Sequence, residues 1–238
     1  MNSVKTKPSL VVALCDRKAA EYAVRHWHYS KVMPTGRLAL YGVWEDRKFI
    51  GCVMFGRGAL NLGKFFGVPQ EQASELLRVA LRRHVTAVSR IISICIKLLK
   101  RDAPSLRAVV SYADSAQGHI GGIYQAGNWL YLGTIGDPRY VINGRNAHAR
   151  TVFSKYKTRS IAWLQKHVDA NARFAAALPK YKYAMGLDPA MQAKLKSGSK
   201  AYPKRATSID NDASAFQAEE GGVNPTVALQ TSQKPSPT

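Results

Sequence analysis

Residues 107–133, RAVVSYADSAQGHIGGIYQAGNWLYLG, run from an apolar segment through a glycine-rich bend and a short helical segment into a second apolar segment. That order reads strand, loop, helix, strand, and it commits the chain to an α/β arrangement. Ala108, Val109 and Val110 form a nearly continuous apolar run, as in a strand covered on both faces. Ser111, Asp114, Gln117 and His119 then collect where that strand ends, which is where α/β folds build their sites. Ser and Asp are also ordinary cap and turn residues, so each alone fits a capped turn in which the glycines only permit the bend. Four together favour a site.

A chain of 238 residues, 46% hydrophobic, has room for one domain with a sizeable core. The formal charge of +20 is uneven: Lys and Arg number 29 against 10 Asp and Glu before Asp188, and 6 against 5 from Asp188 onward. A basic domain is drawn to polyanions, and a charge confined to the folded part is the footprint of a nucleic-acid binder. Beyond Asp188 the composition is Ala, Ser, Lys, Gln, Pro and Thr, so residues 1–187 are assigned to the domain and 188–238 to a mostly disordered tail. Cys15, Cys52 and Cys95 sit far apart in apolar runs, which fits buried reduced thiols. No signal peptide and no membrane-spanning run is read, so a cytoplasmic location is expected.

Along the chain, Leu10 to Leu14 reads as a strand, Asp16 as a helix cap, and Arg17 to His26 as a helix. His26 and His28 are two apart, and solvent-facing or hydrogen-bonded side chains explain them more simply than a metal site. Arg37–Glu45 and Lys48–Phe55 read as a hairpin, and Gly56-Arg57-Gly58 as a basic loop that fits either a phosphate or a plain turn. Pro69 to Glu75 reads as a short helix, Leu77–Arg82 as a strand and Thr86–Lys100 as a buried helix. Asn143-Gly144 marks a second hairpin. Arg145, His148, Arg150, Lys155 and Lys157 follow it, interleaved with Phe153 and Tyr156, a pattern that suits a nucleic-acid track or a solvated face. Ile161–Val168 and Ala172–Leu178 read as helices.

The run SYADSAQGHIGGIYQAGNWLYLG resembles the signature of the phage Mom family, DNA adenine-modifying proteins with an acetyltransferase-like (GNAT) fold. The likeness extends less densely from about Trp27 to about Tyr183, where Pro179-Lys180-Tyr181-Lys182-Tyr183 resembles the family's closing strand. It implies a mixed, strongly twisted central sheet flanked by helices. Tyr29 falls in a segment that lines the acceptor pocket in GNAT folds, and Tyr124 fits their proton donor to the leaving group. One departure matters. Acetyltransferases place a glycine-containing loop before the coenzyme-binding helix so that bare amides reach the pyrophosphate, whereas Arg83 to Ser89 contains no glycine. A coenzyme A ester is therefore a doubtful donor, and Arg82, Arg83 or Arg90 is left to supply charge.

The product this resemblance implies is N6-carbamoylmethyladenine in double-stranded DNA, which shields phage DNA from restriction in the bacterial host. A base inside a duplex must be flipped out, and Trp27, Tyr29, Tyr112 and Tyr124 are the rings available to stack it. Asp114 or Asp137 is the candidate base toward the adenine amine, and Ser111 would position the amine or donor. The new bond joins nitrogen to a methylene, so acyl transfer from acetyl-coenzyme A does not make it in one step. The family resemblance also points to iron, with His28, Tyr29, His119, Asp114 and Asp137 as the ligand types and no choice among them. Two other classes fit parts of the sequence: a conventional N-acetyltransferase acting on a small amine or protein, and a non-catalytic basic DNA-binding protein.

Overall fold

The computed structural model describes residues 7–58, 60–136, 139–175 and 178–204, apart from the side chain of Arg150. Strand β1 (Leu10–Leu14) enters α1 (Arg17–Trp27) through Asp16, whose carboxylate accepts from the Ala19 amide at 2.6 Å. Strands β2 (Leu38–Glu45) and β3 (Lys48–Gly56) form the expected hairpin. Asp46 and Arg47 both take positive φ, 48° and 63°, a bend that matches the twist of the strands. After α2 (Leu62–Phe66), Pro69 opens a single 3-10 turn, Gln70–Gln72, in place of the helix expected through Glu75. Pairing with β3 draws the following residues into β4 (Ala73–Leu81) instead.

Helix α3 (Val88–Asp102) follows, then β5 (Ala108–Asp114), α4 (Gly122–Gln125) and β6 (Leu130–Ile135). The chain then forms β7 (Arg139–Ile142), β8 (Arg145–His148), α5 (Ala149–Tyr156), α6 (Ile161–His167) and β9 (Arg173–Ala175). It closes with β10 (Lys180–Gly186) and α7 (Pro189–Ser197). The main sheet runs β1-β2-β3-β4-β5-β10-β6, and β8-β7-β9 is a separate small sheet. In the main sheet every pairing is antiparallel except β4 with β5.

Helix α3 buries Ile91, Ile92, Cys95 and Leu99 against Val53, Phe55 and Val109 on one face of the main sheet. The opposite face is covered by α1, packed on Cys52, Met54 and Ala80. Farther along it lie α2 and α7, packed on Ala73, Ala108 and Val110. The mixed sheet flanked by helices is the expected fold class. Among the described residues no helix is long and apolar enough to cross a membrane.

Two further expectations are corrected. Residues 172–178 do not open as a helix, because Arg173–Ala175 joins the edge of β7, where Phe174 lies opposite Tyr140 with ring centroids 5.0 Å apart. This cross-strand contact overrides the helix preference of the alanine-rich segment. Nor does order end at Asp188. Its carboxylate accepts from Arg107 Nε and Nη2 at 2.8 and 3.1 Å and from the Met191 amide at 2.8 Å, which starts α7. Met191 and Leu195, four apart, are buried. Two apolar residues in a polar segment were too few to register as a pattern, and the disorder assigned to residues 205–238 lies outside the described residues. A chain ended after Leu187 should be less stable by about 3 kcal/mol or more than one ended after Lys204, since each buried Met or Leu contributes about 1.5–3 kcal/mol. Urea unfolding of the two chains measures the difference.

Candidate active site

The site arises where the parallel pair comes apart. β4 and β5 pair only from Ala73↔Ala108 to Glu75↔Val110. Beyond that point a side chain replaces the backbone ladder, with Ser111 Oγ 2.9 Å from Leu76 O and 2.8 Å from Tyr124 Oη. Serine has one hydrogen and the carbonyl can only accept. Both contacts are therefore met when Tyr124 donates to Ser111 and Ser111 donates to Leu76. Burial pushes Tyr124 up to about 12, so it is a protonated phenol whose hydrogen is already engaged. The proton-donor role expected for Tyr124 then requires that bond to break first.

The gap between the strands is a cavity of about 510 Å³. Leu76 to Val79 of β4 form one wall, Ser111 to Asp114 of β5 the other, with Gly121 to Tyr124 below and His26 to Tyr29 above. That volume falls within the usual range of small-molecule pockets, roughly 300–1,000 Å³. Tyr29 projects from the end of α1, half-exposed, stacked on His28 at 4.4 Å and meeting His119 edge-on at 6.1 Å. His28, Tyr29 and His119 form a wall of rings against which a planar ligand would lie.

His28 is buried, and its Nδ1 accepts from the Ser30 amide at 3.1 Å, with the Ser30 hydroxyl 2.9 Å away. The ring hydrogen therefore sits on Nε2 while His28 is neutral. Burial first, then the charges of Arg78, His119 and Lys31, push its pKa down to about 3. His26 Nδ1 lies 2.8 Å from Tyr22 O, so both histidines are held by hydrogen bonds. A folded-state value below the usual 6.5 means that the unfolded chain takes up the proton first as pH falls. His28 thus contributes stability that is complete above pH 6.5 and is lost toward pH 3, with a slope of at most about 1.4 kcal/mol per pH unit. Urea unfolding at pH 7 and pH 5 should show this loss, and His28→Gln should flatten it.

Asp114 has two duties already. Its Oδ1 accepts from the Ala116 amide at 3.1 Å, and its Oδ2 faces Lys180 Nζ at 3.8 Å, an ion-pair distance too long for a hydrogen bond. It is buried and lines the cavity, so Oδ2 remains within reach of a ligand there. Asp137, the other candidate base, lies outside the described residues. Among the described residues no three His, Cys, Asp or Glu side chains converge as a metal site, although His28, His119 and Asp114 share the cavity.

The loop before α3 has a different occupant from the one a coenzyme site requires. Glu45, at the end of β2, accepts from the Val85 and Thr86 amides at 2.8 Å each and from the Thr86 hydroxyl at 2.6 Å. Burial raises the Glu45 pKa, but these three donors outweigh it and hold the carboxyl below the usual range. The chain's own carboxylate thus occupies two amides of this loop, those of Val85 and Thr86. Arg82, Arg83 and Arg90 are exposed around this loop, and Arg82 lies over the Trp27 ring at 5.9 Å.

The basic residues expected on DNA fall on different elements. Arg145 and His148 are on β8, and Lys155 is on α5. Arg145 and Lys155 line one recess beside Tyr156, and Lys155 Nζ sits 5.0 Å from that ring. Lys157 follows α5, exposed, and only the backbone of Arg150 is described. Arg57 belongs to the loop after β3, where Gly58 takes φ +66° and leaves the space of a side chain to the Glu75 carboxylate. A carboxylate against the loop favours the plain-turn reading of Gly56-Arg57-Gly58. Arg78, Lys31 and Glu45 were not singled out in the sequence, because nothing near them in the chain reveals the contacts they make.

A mixed sheet whose two parallel strands separate over a cavity of rings, hydroxyls and charged groups defines an α/β protein with a cavity at its strand ends. The chain belongs to the Mom protein family, whose model matches residues 9–204. The methylcarbamoylase Mom of Escherichia phage Mu is 30% identical over 131 residues, covering 52% of this chain and 54% of the relative. The chain thus spans about half the length of that curated relative. Among solved structures, the N-acyl amino acid synthase FeeM from uncultured soil microbes is 10% identical with a TM-score of 0.40, covering 83% of this chain and 97% of that one. The aminoglycoside acetyltransferase AAC(6')-Ib is 11% identical with a TM-score of 0.39, covering 63% of this chain and all of that one (100%).

Proposed function

We propose that the chain is a DNA-modifying transferase that converts adenine to N6-carbamoylmethyladenine in double-stranded DNA, and that this protects phage DNA from restriction. The observation that carries the reading is the cavity between β4 and β5, lined by the rings of His28, Tyr29 and His119 and by the buried Asp114 carboxylate, in a member of the Mom family. A flipped adenine stacks on the wall formed by His28, Tyr29 and His119. Its exocyclic amine is a weak nucleophile because the lone pair is delocalised into the ring. Asp114 Oδ2 accepts a proton from that amine as the nitrogen displaces a leaving group from the methylene carbon of the donor, the leaving group departing with the electron pair of the bond that breaks. Ser111 and Tyr124 fix the floor, and Tyr124 can donate only after releasing Ser111. The charge of +20, with Arg145 and Lys155 on the small sheet and α5, attracts the phosphate backbone.

Mass spectrometry of nucleosides from plasmid DNA tests the reading. Cells expressing the protein should yield a deoxyadenosine species carrying the mass of a carbamoylmethyl group, absent from cells with an empty plasmid. Unmodified DNA in cells that contain folded protein would overturn it. The glycine-free loop with Glu45 on its amides weighs against a conventional acetyl-coenzyme A enzyme.

A further inference from the structure

Arg78 carries a buried N–H with no acceptor among the described residues. It stands on β4 opposite Met54, the strand face that α1 covers, and lines the cavity. Its Nη1 donates to Leu77 O at 2.7 Å, while its Nε is buried and has no hydrogen-bond partner among the described residues. In a guanidinium the Nε–H and one N–H of Nη2 point the same way in one plane, spaced like the two oxygens of a carboxylate. Nη1 lies on the other side, so the bond to Leu77 leaves that edge open. A buried N–H without an acceptor is unfavourable, and a ligand oxygen placed there relieves it.

The neighbouring charges select the sign of the ligand. Asp114 is engaged by the Ala116 amide and by Lys180. Lys31, also on the cavity wall, donates to His26 O at 3.0 Å. Glu45 already fills the loop before α3, so an oxyanion entering the site is not held by those amides. A planar, singly charged group matches the single open edge better than a tetrahedral phosphate does.

We propose that the open edge of Arg78 binds a short aliphatic carboxylate inside the cavity. Its use as a co-substrate beside the base rests on the proposed function; the binding does not.

The test uses the full chain labelled with ¹⁵N at arginine Nε, with the Arg78 resonance assigned by comparison with Arg78→Lys. Acetate should shift the Arg78 Nε–H signal saturably. Acetamide, which has the same shape but no charge and one acceptor oxygen fewer, should bind at least tenfold more weakly, as should inorganic phosphate. Arg78→Lys keeps the charge and loses the planar edge, and should weaken acetate binding at least tenfold while leaving DNA affinity unchanged. No saturable shift with acetate, or acetamide or phosphate binding as tightly as acetate, would overturn the proposal whatever the variant does. Acetate binding without any modified nucleoside would sink the proposed function and leave the carboxylate site standing. A modified nucleoside formed at an unchanged rate by folded Arg78→Lys would show that the edge plays no part in the reaction and overturn its role there.

Discussion

Asp114→Asn should lower adenine modification by about 10²–10⁴-fold, the usual contribution of a positioned general base, while the protein stays folded and bound to DNA. The substitution is nearly isosteric. The asparagine oxygen can still accept from the Ala116 amide, so the 3-10 turn after β5 keeps its cap. What disappears is the negative charge 3.8 Å from Lys180 Nζ, in a partly exposed pair whose contribution to stability is about 1 kcal/mol or less. Modified nucleoside per hour, urea midpoint and DNA affinity are the three measurements. Modification within tenfold of the unaltered protein would reduce Asp114 to a cap, and loss of all three properties together would make it structural.

Gly121→Ala should cost about 3 kcal/mol or more and remove activity with it. Gly121 has φ +89°, and a Cβ there would stand 2.2 Å from Tyr183 Cε2 and 2.6 Å from Cζ. The ring cannot retreat. Tyr183 is fully buried between Tyr124 and Tyr131, each with its centroid 5.3 Å away, and Gln125 Nε2 donates to its hydroxyl at 3.0 Å. A left-handed backbone costs an L residue about 1–2 kcal/mol, and overpacking a core adds about 1–3 kcal/mol. Gly118 is the control. It also has positive φ, +73°, but nothing lies within 4 Å of its added Cβ, so Gly118→Ala should cost only the backbone term. Equal thermal shifts for the two variants would refute the packing argument. Because α4 carries Tyr124, displacement of Tyr183 also disturbs the cavity floor.

By itself, the sequence determined what depends on neighbours in the chain. The apolar runs of β1, β2, β3 and β5, the Asp16 cap, the hairpin turn at Asp46-Arg47 and the buried stripe of α3 are local patterns, and the structure follows them closely. The place of the cavity was legible as well, because polar residues gather at the end of the apolar run in β5. The tertiary structure alone decided which side chains meet there. Glu45 reaches the amides of Val85 and Thr86 across 40 residues of chain, and Arg78 presents an unpaired edge only because β4 leaves β5 after Glu75. It also decided where local preference loses. Arg173–Ala175 became a strand because β7 offered an open edge, and α7 ordered because Met191 and Leu195 found an apolar groove between α2 and β10. Propensity acts within a few residues, whereas burial and hydrogen-bond satisfaction act between surfaces that meet only after folding.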